Sequence, residues 1–176
     1  MYYAEKTLTK VLPTLADEAS DRELSRAFSS HLKETKKHVS NLEKVFESLG
    51  ERAQAVPCPG IEGIKREHDE FMEEQQNGHS ELVDAFLTGA ASRTEHYEIA
   101  AYSGLVSKAR ALGEREAVEL LEQNLRQEKD ALKKVEAISK RIFKDAAKES
   151  SSAKRSGSAS RRTSSSKART SATRSR

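Results

Sequence analysis

Apolar residues recur at three- and four-residue intervals along four long stretches of this chain, and that period belongs to the α-helix. Tyr2, Leu8, Leu12 and Leu15 mark the first stretch, from the first residue to about Asp17, and Pro13 is expected to kink it or loosen its last turn. Ser20 followed by Glu23 reads as a capping box that opens the second stretch. Its inner stripe is Leu24, Phe28, His31, Thr35, Leu42, Val45 and Leu49, and Gly50 supplies its stop. The third runs from about Ser80 to Leu112 and stops at Gly113. The fourth runs from about Glu114 to Ala146 and carries Leu121, Leu125, Leu132, Val135, Ile138 and Ile142.

Between the second and third stretches, Val-Pro-Cys-Pro-Gly at residues 56–60 breaks regular structure. A short amphipathic helix from about Ile61 to Gln75 follows, ended by Asn77-Gly78. The first link is short, so its helices should be antiparallel neighbours, whereas residues 51–78 can cross the length of a bundle. The expected fold class is therefore all-α: a ferritin-like four-helix bundle whose long crossover contains a short helix. Only 5% of residues are aromatic, and a core so lean in large rings predicts pairing with a second copy. No run of about 18 apolar residues could cross a membrane. The N-terminus lacks the pattern of a secretory signal, and the single Cys58 cannot form an internal disulfide. These features predict a cytoplasmic protein.

The net charge of +3 conceals a division. From Lys148 onward nine Lys or Arg face one acid, Glu149, which leaves 22 basic against 27 acidic residues before it, a net of −5. Residues 1–147 form the expected bundle, and 148–176 a Ser/Arg/Lys-rich basic tail with too little to bury to offset the entropy of ordering. Its Lys154, Arg155, Arg161, Arg162, Lys167, Arg169, Arg174 and Arg176 would neutralise phosphates of DNA or another polyanion without reading sequence, since no aromatic interleaves them.

The apolar stripes are interrupted by acids and histidines at inward positions. Glu5 lies three residues before Leu8, and Glu34 and His38 share the inner face of the second helix. Glu95 and Glu98 stand one turn apart on the third helix, and Glu128 falls between Leu125 and Leu132 on the fourth. Carboxylates gathered from four helices would repel one another in a dry interior unless they bind protons or cations. Two metal ions, iron in the first place and manganese in the second, resolve that conflict, with Glu5, Glu34, His38, Glu95, Glu98 and Glu128 as ligands. The match to the usual bundle plan is imperfect: Glu34 and His38 are four apart, Glu98 stands where a histidine is common, and Ala131 follows Glu128. His31 and Tyr102 read as interior residues that support these ligands through hydrogen bonds, and His68, His79 and His96 as surface or cap residues. Cys58, in its loop between two prolines, reads as incidental.

Tyr3-Ala4-Glu5-Lys6, His31-Leu32-Lys33-Glu34-Thr35, Leu42-Glu43-Lys44-Val45-Phe46 and the segment from Arg93 through Glu95-His96-Tyr97-Glu98 to Tyr102 resemble the YciE/YciF-type ferritin-like family. The stretch Cys58 to Gly63 and Leu120-Leu121 through Glu128-Lys129 are similar to it too, so the resemblance covers roughly residues 2 to 145. It implies a bacterial cytoplasmic homodimer of ferritin-like bundles with a di-metal centre and a place in stress responses. Members carry further helical residues before the Tyr-x-Ala-Glu segment, and an acid where this chain has Gln127. Such a centre would serve as a redox site that consumes dioxygen or peroxide. The competing readings are a metal-free structural homodimer and a nucleoid-associated protein acting through the tail.

Overall fold

A computed structural model describes the backbone of residues 1–75 and 80–167 and the side chains of residues 1–75 and 80–148. All regular structure among them is helical: α1 (Tyr2–Glu18), α2 (Arg22–Ser48), α3 (Pro59–Glu74), α4 (Ser80–Leu112) and α5 (Arg115–Lys167). None of these helices is long and apolar enough to cross a membrane. The chain divides into two compact units, Met1–Lys140 and Arg141–Arg176. The first contains every side chain discussed below.

The helices start and stop for local reasons. Pro13 faces solvent, and α1 continues past it to Glu18. The expected Ser20–Glu23 capping box does not form. Asp21, one residue on, is the N-cap of α2, and its carboxylate accepts the backbone N–H groups of Glu23 at 3.1 Å and Leu24 at 3.0 Å. Ser20 is taken by buried Asp84 of α4, which accepts the Ser20 backbone N–H at 2.9 Å and that of Asp21 at 3.0 Å. Gly50 and Gly113 adopt φ of 71° and 78°, the left-handed conformation that ends α2 and α4 at low steric cost. At Gly50 the paired return bonds Gly50 N–H to Glu47 carbonyl and Glu51 N–H to Phe46 carbonyl complete the stop.

One boundary departs from expectation. α3 starts at Pro59, inside the stretch expected to break structure, because a proline in the first turn has its φ preset and lacks a donor that would be orphaned there. The α5 backbone is helical to Lys167. Lys154, Arg155, Arg161, Arg162 and Lys167 therefore lie on helical backbone. Arg169, Arg174, Arg176, His79 and the Asn77-Gly78 stop lie outside the described residues.

Within the first unit, α1 packs antiparallel against α2: Tyr2 donates to Glu43 at 2.8 Å, and Ser25 donates to the Ala16 carbonyl at 2.7 Å. α5 runs antiparallel to α2, since Asn41 meets Asn124 and Glu34 approaches Lys134. Leu42 and Val45 of α2, Tyr102, Val106 and Ala109 of α4, and Ala117 and Leu121 of α5 share one apolar core. The inner line of α5 is Leu121, Asn124, Glu128, Ala131, Val135 and Ile138, so Leu125 and Leu132 are only half-buried beside it. Leu49 was expected inside but is 45% exposed, because α2 ends at Ser48 and Leu49 has already left the helical face. His68, expected at the surface or in a cap, is buried, with Nε2 2.7 Å from Glu18 of α1 and Nδ1 3.1 Å from Asp69. Its position on the α1-facing side of α3 outweighs the polar character that suggested the surface. His96 is exposed, as expected.

Candidate metal centre

Four helices each bring an acid or a histidine to one interior point, because each such residue sits on the apolar line of its helix. Glu5, His38, Glu98 and Glu128 have no exposed surface, and Glu95 and His31 are buried. Their donor atoms converge as two groups. The first is His31, Glu95, Glu98 and Glu128; the second is Glu5, His38 and Glu128; within each group the donor atoms lie within 4.8 Å of one another.

Glu128 belongs to both groups. One oxygen, Oε1, is 2.9 Å from His38 Nδ1, and the other, Oε2, is 3.5 Å from His31 Nε2. His31 Nε2 is also 3.4 Å from Glu95 Oε1, and His38 Nδ1 is 3.3 Å from Glu5 Oε1. The edge-to-face histidine rings have centroids 6.3 Å apart.

Protein groups leave many of these atoms unsatisfied. Both oxygens of Glu98, Oε2 of Glu95 and Oε2 of Glu5 are buried without a hydrogen-bond partner. Native interiors rarely tolerate this, because each orphaned polar atom costs about 1–3 kcal/mol. The electrostatics carry the same strain. Burial pushes Glu98 well above the ordinary carboxyl range, and the charges of Glu5, Glu128 and Glu95 add to it. Burial raises Glu95 in the same way, with Glu128 next in effect. Burial also raises Glu5, partly offset by His38. Glu128 goes the other way, since its two histidines outweigh the cost of burial and hold it low. Burial alone would depress His38, but Glu128 and Glu5 hold it up at about 10. With its proton, His38 is a cation between two carboxylates, a partial substitute for the charge that the cluster needs.

Around the cluster runs a polar chain that the sequence reading did not find. Tyr102 donates its hydroxyl proton to Glu5 and accepts an N–H from Asn124 at 3.0 Å. Asn124 in turn accepts an N–H from Asn41 at 2.7 Å. Asn41 and Asn124 are fully enclosed. Both fall on inner lines of their helices, so the same periodicity that picked out the acids marks them. Gln127, which replaces an acid expected from the resemblance, sets Oε1 3.0 Å from His38 Nε2.

Six of the anticipated site residues are thus placed as follows. Glu5, His38, Glu95, Glu98 and Glu128 converge, while Glu34 is 25% exposed at the edge, 3.3 Å from His31 Nδ1, and outside both groups. His31 points a ring nitrogen into the first group. Tyr102 is hydrogen-bonded to Glu5.

The fold and this cluster define an all-helical protein whose interior holds histidine and carboxylate groups able to take a metal ion. The chain belongs to the family described as a domain of unknown function (DUF892), which it matches over residues 1–148. It is 40% identical to Protein YciF of Escherichia coli (strain K12) over 129 residues, which is 73% of this chain and 76% of that protein. The crystal structure of the E. coli stress protein YciF matches with a TM-score of 0.76 at 36% identity, over 81% of this chain and 89% of that one. YcfI of Rhodopseudomonas palustris, described as a candidate structural protein, matches with a TM-score of 0.74 at 40% identity, over 77% of this chain and 85% of that one. The anticipated YciF-type membership is therefore established.

Proposed function

We propose that this protein is a ferritin-like four-helix-bundle protein that binds two metal ions, iron foremost, and acts in the response to oxidants or other stress. The observation that carries the reading is the sharing of Glu128 between two groups of buried donors, each group otherwise short of positive charge. Two divalent ions would supply four positive charges to a cluster containing four carboxylates. Glu98, Glu95 and Glu128 with His31 would hold one ion, and Glu5, His38 and Glu128 the other. Carboxylate-rich sites of this kind suit iron or manganese and supply one-electron redox chemistry toward dioxygen or peroxide. The chain's own residues hold the ligands in place: Tyr102 restrains Glu5, and Gln127 orients the His38 ring. A name including "stress protein" on the E. coli relative supports the physiological part.

Anaerobic titration with ferrous iron tests the reading. Two ions per chain in the wild type, with occupancy lost in Glu128→Gln, is the expected result. Binding of no iron or manganese by folded protein would leave a structural role as the better reading, the role in which the R. palustris relative is described.

The basic C-terminal segment supports a second, compatible activity. Nine cations in residues 148–176 of a cytoplasmic homodimer would hold DNA or another polyanion close to the bundle. Gel shifts of the full chain against a 1–147 truncation test this, and equal, salt-insensitive binding by both would rule it out.

A further inference from the structure

A cavity of about 20 Å³ lies beside the cluster, between α2 and α5 with Glu95 of α4 on its wall. Ala27 and Ala131 keep it open by the smallness of their side chains. Its lining grades from wet to dry. The Lys134 side chain is 55% exposed and that of Glu34 is 25% exposed, whereas those of His31 and Glu95 are 9% and 5% exposed. The polar atoms follow the same order. Lys134 Nζ is 3.9 Å from Glu34 Oε1, Glu34 Oε2 is 3.3 Å from His31 Nδ1, and His31 Nε2 is 3.4 Å from Glu95. Elsewhere the cluster is closed: Glu5, His38, Glu98 and Glu128 expose no surface at all.

We propose that this cavity is the route by which divalent cations reach the cluster, with Glu34 as the first carboxylate they meet and Lys134 as a cationic latch that they displace. The proposal rests on the metal-binding reading above. It gives Glu34 a part that its position at the rim explains, outside both groups of converging donors. A void of about 20 Å³ holds roughly one water molecule. A cation with its full shell of about six waters cannot pass. It must exchange waters for protein oxygen at the mouth, and the Glu34 carboxylate provides that oxygen where solvent still reaches. Lys134 competes for the same carboxylate, so its charge opposes arrival of a second cation. His31, with one ring nitrogen toward Glu34 and the other toward Glu95 and Glu128, stands at the inner end of the path.

The test is the rate at which metal-free full-length protein takes up cobalt(II), followed by its visible absorption in stopped flow, alongside equilibrium titration of the same samples. Ala131→Leu fills the cavity and should slow uptake at least tenfold while leaving equilibrium affinity within threefold of wild type. Lys134→Ala, a surface change that does not threaten folding, should speed uptake at least threefold and reduce its dependence on salt. Glu34→Gln should slow uptake several-fold. Wild-type rates in both Ala131→Leu and Lys134→Ala would overturn the route while leaving two-ion binding intact. A wild-type uptake rate in Glu34→Gln would overturn its part in the route. Failure of the wild type to bind cobalt at equilibrium would instead defeat the metal-binding reading itself.

Discussion

His38 Nδ1 stands 2.9 Å from Glu128 Oε1, both side chains being fully enclosed. Each group alone would be costly to bury as an ion, and together they partly neutralise one another. The pair couples two properties of the protein: its stability against pH and the alignment of α2 with α5.

The pH dependence of the metal-free protein follows from His38. Its pKa is raised from 6.5 unfolded to about 10 folded, so it contributes stability that is complete below about pH 6.5 and lost as pH rises through 10. The urea midpoint of metal-free wild type should therefore fall between pH 7 and pH 10.5. His38→Gln should be less stable at pH 7 and show much less change across that window. An equally steep fall in the variant would show that other groups set the alkaline limit.

Glu98 works against the metal-free fold at neutral pH. Its pKa is raised well above 4.5, so its favourable contribution exists at acid pH and disappears as pH rises through the folded value. Glu98→Gln should stabilise the metal-free protein at pH 7, because the amide has no charge to desolvate beside Glu5, Glu95 and Glu128. The same variant should gain less from added ferrous iron or manganese in a thermal melt. A loss of metal-free stability would mean that Glu98 has a partner other than metal.

Asn124 links Asn41 to Tyr102 in the enclosed polar chain. Asn124→Leu would leave the Asn41 amide and the Tyr102 hydroxyl each short of a partner, at a cost of about 2–4 kcal/mol read by urea denaturation. Pairing it with Asn41→Leu should recover part of that cost, because one of the orphans is then removed. Strict additivity of the two changes would argue that the side chains do not act as a unit.

Asp84 of α4 holds the turn between α1 and α2 by accepting the backbone N–H groups of Ser20 and Asp21. Asp84→Ala should destabilise by about 1–3 kcal/mol and speed hydrogen exchange at those two amides by more than at the Gly113 turn. Uniform acceleration at both turns would indicate global destabilisation instead.

The sequence by itself determined the helices, the glycine stops at Gly50 and Gly113, and the inward placement of Glu5, His38, Glu95, Glu98 and Glu128. These are local properties. A residue's side of a helix follows from a period of about 3.6, and a positive φ follows from the turn in which it sits. Asn41 and Asn124 obeyed the same period, but a neutral amide on an apolar line does not signal its partner as a group of acids does. The tertiary structure alone decided that Glu128 faces both histidines, that His31 joins the cluster while Glu34 stays at the rim, and that His68 is sealed against α1. Those outcomes depend on the axial register and rotation of one helix against another. A side chain near the edge of the apolar stripe passes from interior to surface with a rotation of a few tens of degrees, and periodicity along a single helix does not fix that angle.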